Sequence, residues 1–219
     1  MPGRTIAIGD IHGYTEALRA VLRACSPGAD DTVVTVGDYI DRGPDSRGTI
    51  DTLIQLGQST HLVPLLGNHD RLFLDICEGE VGGFLDWLEF GGYTTFTSYG
   101  GRVPDGVPDD HVEFLKDCRL WYESDTHLFT HASYLPDVPL DEQPEDVLLW
   151  EKIRENAPSP HCSGKRVVVG HTAQRDGEVL DLGHLICIDT CCYGDGWLTA
   201  MDVDSGELWQ ADKHGQMRT

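Results

Sequence analysis

The chain has 219 residues, of which 40% are hydrophobic and 24% charged, a balance typical of a globular protein with one substantial core. Acidic residues outnumber basic ones by 37 to 16, and the net charge of −21 argues against binding to nucleic-acid phosphates. No apolar stretch approaches the about 20 residues that cross a bilayer, and the N-terminus lacks the features of a signal peptide. We therefore expect a cytoplasmic protein with neither a membrane nor a nucleic acid as partner.

The first part of the chain alternates predicted strands and helices. The helical stretches place apolar residues at three- and four-residue spacing, as with Leu18, Val21 and Leu22. The strands are predicted over residues 5–8, 32–36 and 61–66, and the helices over 15–24, 45–58 and 71–77. This β-α-β-α-β order predicts parallel strands joined by right-handed crossovers.

A helical insertion around residues 79–118 is predicted above the sheet, with helices over 81–90 and 109–116 separated by glycines and prolines. A lid or a substrate-recognition element is the role we expect for it. A further helix follows a proline-flanked loop within residues 137–157, and the rest of the chain is rich in strands. These are predicted over residues 166–169, 184–189, 197–203 and 207–210. We expect an α/β fold, a β-sandwich of two mixed sheets flanked by helices, in one domain spanning residues 1–219.

Five short segments combine metal-ligand or phosphate-handling side chains with a glycine or an alanine. They are residues 9–13 (GDIHG), 37–43 (GDYIDRG), 67–70 (GNHD), 131–132 (HA) and 170–171 (GH). Each follows a predicted or short apolar strand. Because ligands gather at the carboxyl ends of strands in α/β sheets, these side chains are expected to converge on one site.

The chemistry of these side chains predicts a metal centre. The candidate ligands are Asp10, His12, Asp38, Asn68, His131 and His171. Mixed carboxylate, imidazole and amide ligands suit Mn²⁺, Fe or Zn²⁺ better than Ca²⁺, which prefers oxygen alone. Six ligands are too many for one catalytic ion that keeps open positions, and they suit two ions at the usual spacing of about 3.5–4 Å.

Taken in order, the five segments resemble those of the metal-dependent phosphoprotein phosphatases, which are calcineurin-like metallophosphoesterases. The chain is most similar to the short bacterial and phage members, relatives of the symmetrical diadenosine tetraphosphate hydrolases, and the similarity extends to residues 188–190 and 198–200. The resemblance implies two divalent ions, with Mn first and Fe, Zn or Mg as alternatives. It assigns one ion to Asp10, His12 and Asp38, and the other to Asp38, Asn68, His131 and His171.

The resemblance also implies how the reaction proceeds. A hydroxide shared by the two ions would attack phosphorus directly, His69 would protonate the leaving group, and Asp41 would orient His69. Arg42 and Asn68 would bind the phosphate. A second phosphate clamp is expected two residues after Trp150, where this chain has Lys152, with Arg154 nearby. Lysine binds phosphate as a point charge rather than as a planar fork, so the identity of this clamp is left open.

Three functions are compatible with this reading. The first is a phosphomonoesterase that acts on phosphorylated proteins, at Ser and Thr first and at Tyr as an alternative, or on a small phosphoester. The second is a dinucleoside polyphosphate hydrolase, which the short chain and the lack of an obvious basic pocket disfavour. The third is a phosphatase-like scaffold without activity, which the complete set of expected ligands disfavours. The oligomeric state and the roles of Cys191 and Cys192 are not predicted.

Overall fold

Two five-stranded sheets form the centre of the fold in the computed structural model, which describes residues 3–153 and 157–219. The strands are β1 (Thr5–Ile8), β2 (Thr32–Thr35), β3 (His61–Pro64), β4 (Trp121–Glu123), β5 (His127–Thr130), β6 (Arg166–Val169), β7 (Leu180–Asp181), β8 (Leu185–Cys187), β9 (Leu198–Asp202) and β10 (Leu208–Ala211). The first sheet has the order β10-β9-β1-β2-β3 and the second β4-β5-β6-β8-β7. In each sheet three parallel strands are joined by antiparallel neighbours, so the predicted pair of mixed sheets is confirmed.

The two sheets pack face to face through an apolar layer. Val34 and Val63 of the first sheet lie in one buried cluster with Phe129, Val168 and Ile186 of the second. These five side chains are at most 3% exposed. Their burial follows from the alternation of side chains along a strand, which turns one set of apolar residues toward the facing sheet.

Helices cover the outer face of the first sheet. They are α1 (Thr15–Cys25), α2 (Ser46–Leu56), α3 (Asn68–Cys77), α4 (Phe84–Trp87), α5 (Tyr93–Ser98) and α6 (Asp109–Lys116). A further helix, α7 (Glu145–Trp150), lies beside the end of β5, where Leu148 O accepts from the backbone N of Ala132. Leu18 of α1, Leu53 of α2 and Phe73 of α3 share a buried cluster with Ile6 and Ile8 of β1. No helix within residues 3–153 and 157–219 is long and apolar enough to cross a membrane.

Two differences from the sequence-based expectation affect the segments that carry the candidate site residues and the insertion. The helix predicted over residues 81–90 is interrupted: a 3₁₀ turn over Val81–Gly83 precedes α4, and a π-helical turn over Leu88–Gly92 joins α4 to α5. Gly91 causes the break, because its φ of 119° lies outside helical geometry. The helix predicted to start at residue 71 begins instead at Asn68, which places the GNHD segment in the first turn of α3.

An ion pair ties the N-terminus to the loop before β2. The carboxylate of Asp31 accepts hydrogen bonds from the backbone N of Arg4 at 2.7 Å and from its Nη2 at 2.6 Å. The hydrogen bond from the Arg4 side chain is the main cause that lowers the pKa of Asp31 to about 2. A lowered pKa stabilises the fold above the unfolded value of about 3.9, and the stabilisation is lost as the pH falls through the folded value.

Asp31→Asn should therefore reduce the free energy of unfolding at pH 7 by about 1–2 kcal/mol. Urea unfolding of the variant and the original protein should show a difference that shrinks from pH 5 toward pH 2. Glu16→Gln is the control, because Glu16 pairs with Arg19 on the surface, where exposed pairs contribute about 0–1 kcal/mol. A loss in Asp31→Asn that stays the same across this pH range would contradict the assignment.

Candidate metal centre

The predicted ligands converge at the carboxyl ends of the strands. Donor atoms of His12, Asp38 and His69 lie within 4.8 Å of one another, and so do those of Asp38, His131 and His171. Asp38 belongs to both groups. His69, predicted as the proton donor, belongs to the first group, and the predicted ligand Asp10 belongs to neither. Four of the five side chains are buried, and His171 is partly exposed. The site is therefore a pair of adjoining donor clusters that share one carboxylate.

Three of these histidines are oriented by backbone carbonyls. The pairs are His12 Nδ1 with Ile40 O at 2.9 Å, His131 Nδ1 with Val36 O at 2.7 Å, and His171 Nε2 with Trp150 O at 3.2 Å. A ring nitrogen that donates to a carbonyl leaves the other nitrogen with its lone pair directed into the site. This is the arrangement by which metal-binding histidines are fixed in one tautomer.

Acceptor atoms face one another around Asn68. Its Oδ1 lies 3.1 Å from His131 Nε2 and 3.0 Å from His171 Nδ1, the two nitrogens that carry lone pairs. Burial lowers the pKa of His131, and burial together with His131 lowers the pKa of His171 to about 3, so both rings are neutral near pH 7. Three acceptors that point to one place fit a shared cation, and imidazole and amide donors suit Mn²⁺, Fe or Zn²⁺.

Three buried carboxylates add negative charge to the same region. Burial, Asp189 and Asp38 raise the pKa of Asp10, whose oxygens accept from the backbone N of His171 at 3.0 and 3.2 Å. Burial also raises the pKa of Asp189 to about 6. Burial raises the pKa of Asp38 as well, but four surrounding imidazoles lower it below its usual range. Cations would stabilise such a concentration of buried charge.

Asp189 was given no role in the site by the sequence reasoning, which placed it at the end of a predicted strand. It is 2% exposed, and its Oδ1 accepts from the backbone N of Cys191 at 3.0 Å. It follows an apolar run, as Asp10 and Asp38 do, but no glycine lies beside it. The pattern that identified the other loops is therefore only partly present at Asp189.

The loops that present the ligands adopt unusual backbone conformations. Positive φ angles occur at five site residues, namely His12 (49°), Asp38 (53°), Asp41 (70°), Arg42 (68°) and His171 (60°). Residues other than glycine rarely adopt this left-handed conformation, and it concentrates at functional sites, where the surrounding contacts hold it in place. Here it turns consecutive side chains of short loops toward one centre.

Two glycines allow the loops after β2 and β3 to touch. A Cβ on Gly67 would lie 2.2 Å from both the backbone N and the Oδ1 of Asp38. Gly37 has a φ of 101°, and a Cβ on it would lie 2.6 Å from Gly67 N. Both glycines thus allow a close approach of the two backbones that a Cβ would block.

His69, Asp41 and Arg42 form a second group beside the ligands. His69 Nδ1 donates to Asp41 Oδ2 at 2.7 Å, and both side chains are buried. Arg42 donates from Nη1 to His12 Nε2 at 2.6 Å and from Nη2 to His69 Nε2 at 2.9 Å. The Arg42 guanidinium also lies over the ring of Tyr193, 4.3 Å from its centroid. The charged fork therefore lies between His12 and His69, two members of the first cluster.

Two aromatic residues at this group were missed by the sequence reasoning. Tyr193 packs edge-on against His12, with ring centroids 5.3 Å apart. Phe90 stacks on His69 at 4.6 Å and 7°, although it is 48% exposed. Neither residue lies in a recognisable motif, and only the folded chain brings them to the site.

Of the two residues expected to form the second phosphate clamp, Lys152 lies within the described residues and Arg154 does not. Lys152 is exposed, and its charge lies close enough to His171 to contribute to the lowered pKa of that histidine. It therefore sits at the rim of the centre. Arg154 lies outside the described residues, so its proposed part in phosphate binding stays a prediction.

Comparison with known proteins identifies the class to which this fold and site belong. Residues 3–175 match the family of calcineurin-like phosphoesterases, and the chain belongs to that family. It is therefore an enzyme that hydrolyses phosphoesters and uses divalent metals. The family resemblance inferred from the sequence is confirmed.

Its relatives carry two different names. The chain is 28% identical to serine/threonine-protein phosphatase 1 of Salmonella typhimurium, with 88% of each protein covered. It is 27% identical to the symmetrical bis(5'-nucleosyl)-tetraphosphatase of Pseudomonas fluorescens, over 96% of this chain and 92% of the relative. These identities leave the substrate open.

Solved structures show the same fold. A structure provisionally described as a diadenosine tetraphosphatase superposes with a TM-score of 0.71 at 26% identity, covering 96% of this chain and 94% of that one. A cold-active protein-tyrosine phosphatase of a Shewanella species superposes with a TM-score of 0.65 at 16% identity, covering 100% and 80%. At 16% identity, the similarity to the tyrosine phosphatase shows a shared fold alone.

Asp70 joins the two loops that carry Asp38 and Asn68. Its Oδ2 accepts from the backbone N of Asp38 at 2.7 Å and of Gly67 at 3.0 Å, and its Oδ1 accepts from Tyr39 N at 3.0 Å. It is fully buried. An amide in its place would turn an NH₂ group toward at least one of these N–H donors.

Asp70→Asn should lower the free energy of unfolding by about 1–3 kcal/mol, the cost of a buried donor without a partner. Thermal unfolding of the metal-depleted protein measures this effect without a contribution from bound ions. Asp75→Asn is the matched control, since Asp75 lies on the same helix in a surface pair with Arg71. Equal losses in the two variants would show that Asp70 does not hold the loops together.

Proposed function

We propose that this enzyme is a dinuclear-metal-dependent phosphomonoesterase that dephosphorylates proteins at Ser and Thr, with phosphotyrosine as a second class of substrate. The observation that carries the proposal is the position of Asp38 in two adjoining donor clusters, next to the His69–Asp41 pair and Arg42. The relative named serine/threonine-protein phosphatase 1 supports this choice of substrate.

Two divalent ions would be held on either side of Asp38. Asp10, His12 and Asp38 would hold one ion, while Asn68, His131 and His171 would hold the other together with Asp38. We propose Mn²⁺, with Fe, Zn²⁺ or Mg²⁺ as alternatives. Bound at this site, the ions would supply activated water and neutralise charge on the phosphate.

The other residues act on the phosphate and on the leaving group. The planar fork of Arg42, already directed between His12 and His69, would bind two phosphate oxygens. In the structure His69 Nε2 accepts from Arg42; once Arg42 turns to the phosphate and Nε2 is protonated, His69 would donate that proton to the leaving oxygen as its bond to phosphorus breaks. Asp41 accepts from Nδ1 of the same ring, so it would hold the ring in place and stabilise its protonated form.

Hydrolysis of a dinucleoside polyphosphate is the second candidate. It is supported by the relative of that name, which this chain matches over 92% of the relative's length. A polyphosphate carries several negative charges, and the net charge of −21 disfavours its binding. A cytoplasmic location and the lack of nucleic-acid partners stay predictions from the sequence.

Removal of the metals tests the reaction itself. Metal-depleted protein should not hydrolyse an aryl phosphate, and added Mn²⁺ should restore hydrolysis. Asp38→Asn should lose roughly 10³-fold or more in kcat/KM after the same treatment, because both clusters share this carboxylate. Asp181→Asn, in a surface ion pair with Arg166, is the control and should behave like the original protein. Full activity of Asp38→Asn would contradict the proposal.

A comparison of substrates tests the preference for phosphoproteins. The Mn²⁺-reconstituted enzyme should show a higher kcat/KM for phosphoserine and phosphothreonine peptides than for diadenosine tetraphosphate in parallel assays. A smaller but measurable rate is expected for a phosphotyrosine peptide. A clear preference for the dinucleotide would assign the enzyme to the second candidate function instead.

A further inference from the structure

The helical insertion contacts the His69–Asp41 pair directly. Trp87, at the end of α4, donates from Nε1 to Asp41 Oδ2 at 3.0 Å. Thr95, in α5, donates from Oγ1 to Asp41 Oδ1 at 2.7 Å. Trp87 is 1% exposed and Thr95 0%, so both contacts are shielded from water.

These two contacts account for both oxygens of the Asp41 carboxylate. Oδ2 accepts from His69 and Trp87, and Oδ1 accepts from Thr95. Because the donors approach from different elements, the carboxylate cannot rotate without losing one of them. The oxygen that faces His69 is therefore fixed in position by residues 46 and 54 positions away in the sequence.

Thr95 also holds the backbone of the same residue. Its Oγ1 accepts from the backbone N of Asp41 at 2.9 Å and lies 2.7 Å from the hydroxyl of Ser46. Asp41 has a φ of 70°, a conformation that needs support from its surroundings. One hydroxyl thus supports both the strained backbone and the carboxylate of Asp41.

The turn between α4 and α5 makes two more contacts with the site. Phe90 covers the face of the His69 ring, and Gly91 O accepts from the backbone N of Arg42 at 3.0 Å. The insertion thus touches each member of the group formed by His69, Asp41 and Arg42. A lid that opens during turnover would break these contacts.

We propose that Trp87 and Thr95 are positioning residues for the general acid, which makes the helical insertion a structural part of the catalytic site. The proposal rests on the role of His69 as proton donor in the proposed function. As the bond between phosphorus and the leaving oxygen breaks, its electron pair stays on that oxygen, which takes the proton from His69 Nε2. Trp87 and Thr95 keep Asp41, and through it the His69 ring, in the orientation that this transfer needs.

Two substrates with different leaving groups distinguish this positioning role from a general structural role. An alkoxide such as that of serine is a poor leaving group and depends on the proton, whereas p-nitrophenolate leaves readily without it. In the Mn²⁺-loaded enzyme, Trp87→Phe and Thr95→Val should reduce kcat/KM for a phosphoserine peptide by about 10-fold or more. The same variants should reduce kcat/KM for p-nitrophenyl phosphate by less than about 3-fold, with unchanged metal content. Thr95→Ser keeps the hydroxyl and should recover most of the loss.

Tyr99→Phe is the matched control. Tyr99 is a buried aromatic residue that follows α5 directly, and its hydroxyl bonds to His111 Nδ1 at 2.8 Å, away from Asp41. Its loss should lower the melting temperature and change the two rates by the same factor. His69→Asn in the same assay serves as the reference for complete loss of the acid.

The outcomes distinguish the two proposals. If His69→Asn slows the phosphoserine peptide selectively while Trp87→Phe and Thr95→Val slow both substrates equally, or neither, the positioning role is wrong and the acid role stands. If His69→Asn shows no selectivity, the acid role in the proposed function is wrong, and the positioning role falls with it. Should Trp87→Phe not fold, the comparison of Thr95→Val with Thr95→Ser decides.

Discussion

The burial of several charged and lone-pair-bearing side chains around one point is the constraint on which the rest of the structure depends. Asp10, Asp38 and Asp189 lie close together and away from water, and neutral imidazoles face the same centre. Such an arrangement is unfavourable unless cations share it. The two packed sheets supply a rigid frame for these buried groups. Strands end at one edge of the frame, and the short loops that follow them are held in left-handed conformations.

The group proposed to act on the leaving oxygen depends on a different part of the chain. The ligands come from loops at the ends of the central strands, whereas the Asp41 carboxylate is held by Trp87 and Thr95 of the helical insertion. In the proposed mechanism, metal binding and proton donation are thus supported by separate elements that meet at Arg42. Changes in the insertion can then alter proton donation without altering the metal ligands. The comparison of a phosphoserine peptide with p-nitrophenyl phosphate detects this separation.

The sequence was sufficient for the parts of the site that follow local rules. A polar residue after an apolar strand, next to a glycine, identified the ligand loops, and the strands over Thr5–Ile8 and Arg166–Val169 were predicted with their observed bounds. The contacts of Trp87, Thr95, Phe90 and Tyr193 could not be predicted. They join residues far apart in the chain. The contacts of the insertion also depend on the break at Gly91, whose positive φ leaves no periodic pattern. Substrate choice is open for the same reason, since it is decided by such contacts rather than by the ligand motifs.

The central claim is that two ions share the carboxylate of Asp38, and its most direct test is an equilibrium titration of the metal-depleted protein with Mn²⁺. Calorimetry combined with elemental analysis would give the number of ions bound to each chain. The account predicts two ions for the original protein, and fewer than two, bound more weakly, for Asp38→Asn. Saturation of the original protein at a single ion, or two ions bound with unchanged affinity by Asp38→Asn, would contradict it.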